Sequence, residues 1–306
     1  MAGSIRGSGL ADAAAVGAER RPRALLGDGA VSRVAVALVR NRAALAGLLI
    51  VGAFLAVAVA ANRLPLASPL RMVPQDRMAG PSWALPLGAD AFGRDLLSRL
   101  VHGARLSLEV AFASVLAALV AGSILGVLAG YAGGRVDQVL MRIMDVFFSF
   151  PAVLLALGIV AALGPHPANV VLAIAVVYTP IFARVVRGPV LALKEREFVE
   201  ASRALGAPAG RIVGRHILPN LASVLVIQTS IALSWAILTE ASLSFLGLSA
   251  QPPTPSWGAM LNEGRLNLEL APHLAVFPGL AIMLAVLGFN LLGDGLRDAL
   301  DPRQRF

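Results

Sequence analysis

Cysteine is absent from this chain, lysine occurs once, and charge of either sign is scarce. Asp, Glu, Lys and Arg together make up 14% of its 306 residues, and aromatics 6%. Each shortage excludes something. Without cysteine there are no disulfides and no thiolate metal sites. The sole lysine, Lys194, lies between Leu193 and Glu195. A phosphate-binding loop of the form Gly-x4-Gly-Lys-Ser/Thr therefore cannot be built. The four histidines, His102, His166, His216 and His273, are scattered without ligand spacing. Neither a Gly-x-Ser-x-Gly nucleophile motif nor a carboxylate–histidine cluster is found. The sequence thus offers no catalytic centre, no metal site and no cofactor site.

What is abundant is apolar surface. Hydrophobic residues are 57% of the chain and the mean hydropathy is +0.76, against about 45–50% apolar in ordinary soluble domains. A bilayer core about 30 Å thick needs roughly 20 apolar residues in a helix. Six blocks meet that need: Ala43–Ala61, Leu106–Tyr131, Val146–Leu163, Ala168–Ala183, Leu221–Leu243 and Leu274–Leu292. No barrel-like alternation competes, so the expected class is an all-α integral membrane protein with six transmembrane helices.

Basic residues set the expected orientation. With the N-terminus in the cytoplasm, nineteen of the 26 Lys and Arg residues fall on the cytoplasmic side and seven outside, satisfying the positive-inside rule with both termini cytoplasmic. The net charge of +8 therefore reads as topology, with the lipid bilayer as partner and no nucleic acid. The chain divides into a cytoplasmic tail (1–42), a first transmembrane helix (43–61), an extracytoplasmic loop (62–105) and a transmembrane domain (106–306). Met1 to about Arg33 reads as a loosely ordered tail.

A polar stretch, EREFVEASRALGAPAGRIVGRHILPN (Glu195–Asn220), interrupts the apolar domain. Val190–Leu205 predicts a helix with Phe198, Ala201 and Leu205 on one side. Gly206 suits a left-handed C-terminal stop, and Pro208 a helix start. Arg211 and Arg215 then share a face, and Pro219 closes the hairpin (190–219). An interfacial hairpin capping the bundle and a docking site for a partner both fit this pattern.

Other features predict local roles. Ala118, Gly122, Gly126 and Gly130 form a small-residue ridge for close helix packing, within the chain or with a second subunit. Asp90–Arg105 predicts an amphipathic helix lying on the outer surface, with Leu96, Leu97 and Leu100 opposite Arg94, Arg99 and Arg105. Glu109, Arg142 and Asp145 fall at span edges, where snorkelling or a structural hydrogen bond suffices. Glu240, close to the outer end of the fifth span, predicts a vestibule-lining group or an anchor for the following loop, because a carboxylate in a bundle faces an interior or a cavity. In that loop QPPTP predicts a stiff, extended segment, and Trp257 a residue at headgroup level.

Several blocks together resemble one family. Glu200, Ala201, Gly206, Leu218 and Pro219 match the signature loop of ABC-importer permeases, Glu-Ala-Ala, three residues, Gly, nine residues, Ile-x-Leu-Pro. Ser202 stands in place of the second Ala and His216 in place of Ile. GADAFGRDLLSRLVHGARLSL (Gly88–Leu108), GYAGGRVDQVLMRIMDVFFSFP (Gly130–Pro151), EASLSFLGLSAQPPTPSWGAML (Glu240–Leu261) and NLLGDGLRDALDP (Asn290–Pro302) resemble the second permease subunit of dipeptide/oligopeptide-type importers. The resemblance implies a type I ABC importer transmembrane domain in a bacterial cell membrane, importing peptides or related small solutes. Its expected partners are a homologous permease, two cytoplasmic ABC ATPases that bind ATP and Mg, and an extracytoplasmic solute-binding protein. It implies ATPase coupling through Glu200, Ala201, Ser202, Gly206, Arg211, Leu218 and Pro219. For the pathway or a scoop-like outer loop it points to Glu240, Ser244, Pro252, Pro253 and Trp257. An ion-coupled carrier and a non-transporting scaffold are the other classes a greasy, polar-looped chain admits. Gradient-driven uptake without ATP would mark the first. A hairpin needed for assembly but not for uptake would mark the second.

Overall fold

The computed structural model describes residues 30–300, with side chains from residue 35 onward; all but the last few residues of the expected loose tail lie outside that range. Every helix and turn that bears on function can be placed in chain order. α1 (Ala30–Arg40) and α2 (Arg42–Ala60) meet at Asn41, whose side-chain oxygen accepts from the backbone N–H groups of Ala43 and Ala44 at 3.0 and 3.3 Å. This N-cap satisfies two of the donors a helix start leaves free. A long loop leads to α3 (Leu96–Ala132), followed by α4 (Gly134–Phe148), α5 (Ala152–Leu163) and α6 (Pro167–Lys194). The hairpin helices α7 (Glu197–Ala204) and α8 (Ala209–Ile212) come next. A π turn (Val213–Ile217) then feeds α9 (Leu218–Phe245), and α10 (Trp257–Arg265) and α11 (His273–Leu300) complete the order.

Five helical runs among the described residues are long and apolar enough to cross a membrane, or six if α4 and α5 count as one broken span. The third span expected from sequence, Val146–Leu163, is the broken one. Ser149, Phe150 and Pro151 interrupt it, and α4 and α5 meet at 89°. Proline at 151 has no N–H to continue α4 and disfavours helical geometry in the residue before it. The expected surface helix Asp90–Arg105 also differs. Helix begins only at Leu96, capped by Asp95 (Oδ1 to Leu97 N, 3.0 Å), and runs unbroken into the second span, 37 residues in all.

Direction of packing follows from which residues touch. A Cβ added at Gly122 would lie 2.5 Å from Phe182 Cβ, one at Gly126 2.5 Å from the Ala183 carbonyl, and one at Gly130 2.8 Å from Val190 Cβ. Contacts on α3 and α6 therefore advance together, and the two helices run parallel. The small-residue ridge is an intrachain seam. α9 runs against α6, with Tyr178 hydroxyl 2.9 Å from Thr239 Oγ1 at one end and Val190 clustered with Leu221 at the other. α11 opposes α9, Ser234 Oγ donating to Asn290 Oδ1 at 2.8 Å. α2 opposes α11, Gly47 lying against Leu292 and Ala44 against Gly295.

These pairings sort the chain onto two faces. The ends of α3 and α6, the hairpin, the start of α2 and the end of α11 share one face, where Asn41 Nδ2 donates to Asp298 Oδ2 at 3.3 Å. The loop before α3, the end of α9, α10 and the start of α11 share the other. Because α3 and α6 are parallel, α4 and α5 together return the chain across the bundle, which gives six crossings. Several span hydroxyls are satisfied on their own helix: Ser114, Thr179, Thr229 and Thr239 each donate to the carbonyl four residues earlier at 2.7–2.9 Å. Apolar surroundings make an unpaired hydroxyl costly, so this local bonding is what admits polar residues to the spans.

The seam yields a direct expectation. Gly126→Leu forces α3 and α6 apart at the Ala183 carbonyl and Val186, at a cost of about 1–3 kcal/mol or more. Thermal unfolding of the detergent-purified chain should shift down clearly. Gly52→Leu, where nothing lies within 4 Å of the added carbon, should leave it near the parent value. Equal shifts in the two variants would contradict the seam.

Candidate functional site

The hairpin is built from two short helices with opposite duties on their two sides. α6 ends at Lys194, Arg196 turns extended (φ −80°, ψ 143°), and α7 starts with Glu197 and Glu200 in its first turn and Arg203 in its last. That charge order complements the helix dipole. At its end Gly206 takes φ +78°. Its N–H donates to Arg203 O at 2.9 Å, and Ala207 N–H to Ser202 O at 3.1 Å. This is a Schellman turn, which requires the left-handed residue that glycine supplies. Pro208 precedes α8 as its N-cap and is not the first helical residue.

The packed side differs from the one the spacing suggests. Val199, Ile212 and Ile217 are buried in a cluster with Val127 of α3, Val186 and Val190 of α6, and Leu221 of α9; Phe198 leans on it. Ala201 and Leu205, expected beside Phe198 on the buried stripe, are exposed, Leu205 at 89%. The hairpin axis is rotated so that Val199 points inward, because the break at Glu195–Arg196 uncouples its phase from α6. Outward stand Glu200, Ala201, Ala204, Leu205, Arg211 and Leu218, with Ser202 half-buried. Pro219 does not close the hairpin. α8, the π turn and α9 form one run, Ala209–Phe245, and the wide turn accommodates a proline that has no N–H to donate.

The opposite face carries a second organised region. Asp90 Oδ1 accepts from the N–H groups of Phe92 and Arg94 at 2.8 and 3.0 Å, and Oδ2 from Arg94 Nε at 2.6 Å. Arg99 Nε lies 3.2 Å from the same oxygen. Glu263 of α10 completes the group, 3.2 Å from Arg94 Nη2 and 3.1 Å from Arg99 Nη2. Of the three arginines expected on an exposed helix face, Arg105 is exposed, whereas Arg94 and Arg99 are 2% and 1% exposed. These two join the loop before α3, the first turn of α3 and α10. Sequence reading had no signal for this, since Glu263 lies more than 160 residues from its partners.

Trp257 is likewise interior and does not face outward from the bundle. It is fully buried, its indole N–H donates to Leu100 O at 3.1 Å, and its ring meets Phe54 edge-on at 5.3 Å. Glu240 is fully buried where α9, α3 and the following loop meet. Ser107 and Ser249 are the hydroxyls beside it, but neither carboxyl oxygen reaches a partner at good hydrogen-bond geometry. Ser244 and Ser256 hydroxyls pair at 2.5 Å just beyond. Glu240, Ser244 and Trp257 therefore all lie buried beneath the loop. Pro252 and Pro253 instead face outward, lining a groove of about 550 Å³ with Met72, Phe92, Glu263 and Leu266. The QPPTP segment turns and does not extend, Thr254 N–H donating to Gln251 O at 3.2 Å.

Long apolar helices, a charged hairpin locked to three spans and an ion-paired cap on the opposite face define a polytopic membrane protein. Residues 122–306 match the family described as binding-protein-dependent transport system inner membrane component. The chain is 47% identical over 268 residues to a dipeptide transport system permease protein of Alkalihalophilus pseudofirmus, covering 88% of each. It is 54% identical over 224 residues to a glutathione transport system permease protein of Pectobacterium atrosepticum, covering 73% of this chain and 74% of that one. An Escherichia coli glutathione transport system permease protein is 50% identical over the same share. The chain belongs to this inner-membrane permease family, as a permease subunit of an ABC importer whose kind works with ATPase and binding-protein partners.

The cap cluster predicts a measurable weakness. Asp90→Ala leaves two buried arginines short of a counter-charge, and breaking such a group costs about 3–5 kcal/mol. The exposed Arg71 and Arg77 of the loop should then be cut by trypsin roughly tenfold faster or more, as local opening becomes easier. An unchanged cleavage rate would show that the cluster does not brace the cap.

Proposed function

We propose that this chain forms half of a pathway that imports short peptides, paired with a homologous permease. Two cytoplasmic ATPases drive it, and an extracytoplasmic binding protein delivers the solute. The names of its relatives, dipeptide and glutathione permeases, support a small peptide as cargo. ATP and Mg belong to the ATPases, because the single lysine cannot form a phosphate loop. The basic bias assigns the hairpin face to the cytoplasm.

One observation carries the reading. The hairpin's inner side is fused by Val199, Ile212 and Ile217 to α3, α6 and α9, while its tip presents Ala201, Ala204 and Leu205 between charges. A partner pushing on that tip moves three spans and not a loose loop. Glu200 and Arg211 supply polar contacts at the rim, Ser202 and Gly206 the turn, and Leu218 and Pro219 the root in α9.

Gly206 tests this without touching the partner. Nothing lies within 4 Å of a Cβ placed there, so Gly206→Val acts through backbone strain of about 1–2 kcal/mol. The variant should insert at normal abundance. It should lose its ATPases on purification, or the stimulation of ATP hydrolysis by loaded binding protein. Glu200→Ala should weaken the same readouts, and Arg196→Gln should do much less. Full transport with ATPases bound in both Gly206→Val and Glu200→Ala would overturn the coupling role.

A further inference from the structure

α4 is fixed to the bundle by very little apolar burial. Of its 15 residues only Met144 is buried, while Val136, Val139, Ile143, Val146 and Phe148 are exposed. Its fixed points are ionic, and both lie on α6. Arg187 grips Asp137 by two parallel contacts, Nε to Oδ1 at 2.5 Å and Nη2 to Oδ2 at 2.6 Å. Arg184 donates from Nη2 to Asp145 and lays its guanidinium 3.9 Å over the Phe148 ring. A forked arginine–carboxylate contact fixes direction as well as distance.

The positions of these contacts matter more than their strength. Arg184 and Asp145 are 43% and 51% exposed, so little buried contact surrounds this pair. Yet Phe148 is the last residue of α4, so Arg184 holds the helix at the 89° elbow that leads into α5. Beyond Arg187, α6 carries Val190, which packs with Val199 of the hairpin. A single helix thus bears the hairpin at its end and α4 on its flank.

We propose that Arg184 and Arg187 are positioning residues of the transport cycle, passing displacement of α6 to α4 and to the elbow before α5. The inference rests on the hairpin being the ATPase contact. When the hairpin moves α6, Asp137 and Asp145 are drawn with it, and the broken span changes its angle. α4 has no comparable apolar grip of its own to resist.

A charge exchange tests the linkage in the complete importer, with both permeases, ATPases and binding protein in liposomes. Radiolabelled dipeptide uptake and ATP hydrolysis are measured for Asp137→Arg, Arg187→Asp and the double exchange. Each single variant should keep its ATPases bound yet import roughly tenfold less dipeptide per ATP hydrolysed. The double exchange should recover to within about threefold of the parent. Unchanged ratios in the single variants overturn the proposal. Uptake and hydrolysis falling in equal proportion also overturn it, because that marks a purely structural role. So does a double exchange no better than either single one, or loss of the ATPases from the single variants. Failure of the hairpin reading shows separately, in Gly206→Val, since this ratio is scored only with ATPases bound.

Discussion

Everything in this architecture depends on how closely α3 and α6 lie. Gly122, Gly126 and Gly130 bring α3 against the backbone of α6, where an added carbon meets atoms at 2.5–2.8 Å. Two parallel helices cannot be joined by a short turn. The chain between them must recross the bundle, and it does so as the bent pair α4 and α5. That one requirement places the end of α6 beside the end of α3, hence the hairpin on the face that also carries both ends of the described chain. Van der Waals contact is the driving force such seams have in lipid, where the hydrophobic effect between helices is absent.

The two faces are held by different chemistry. On the hairpin face seven buried aliphatic residues form a cluster across six elements, which ties the hairpin to the spans as one body. On the opposite face the cap is braced by charges, Asp90 and Glu263 against Arg94 and Arg99, and by the paired hydroxyls of Ser244 and Ser256, with Glu240 buried beside Ser107 and Ser249. Buried charges held by directional contacts specify a geometry more than they stabilise it.

Much of this was legible in the sequence, and what was not has physical reasons. Five of the six spans follow from apolar length alone, and Gly206 from the need for a left-handed stop. The third span reads as continuous in the sequence because hydropathy averages over Ser149–Pro151 and hides a bend. Asp90–Arg105 looked amphipathic because Arg94 and Arg99 alternate with leucines, but their counter-charges, Asp90 in a turn and Glu263 far along the chain, pull both arginines inside. Trp257 has the composition of an interfacial residue and the partners of a core one. In the hairpin the identity of the outward residues was half right: Glu200 and Arg211 face out as their charge suggests, whereas Val199 and not Leu205 supplies the buried contact. Phase across a helix break is set by tertiary packing, which spacing does not report.

The account stands on the hairpin and the cap lying on opposite sides of the membrane, with the hairpin inside. The absence of cysteine makes that directly measurable. Single cysteines replace Leu205 at the hairpin tip and Trp83 in the outer loop, two of the most exposed apolar side chains described. A membrane-impermeant maleimide is then applied to intact cells and to opened ones. The account predicts labelling at position 83 from outside, and at position 205 only after the membrane is opened. Labelling of position 205 in intact cells would contradict it.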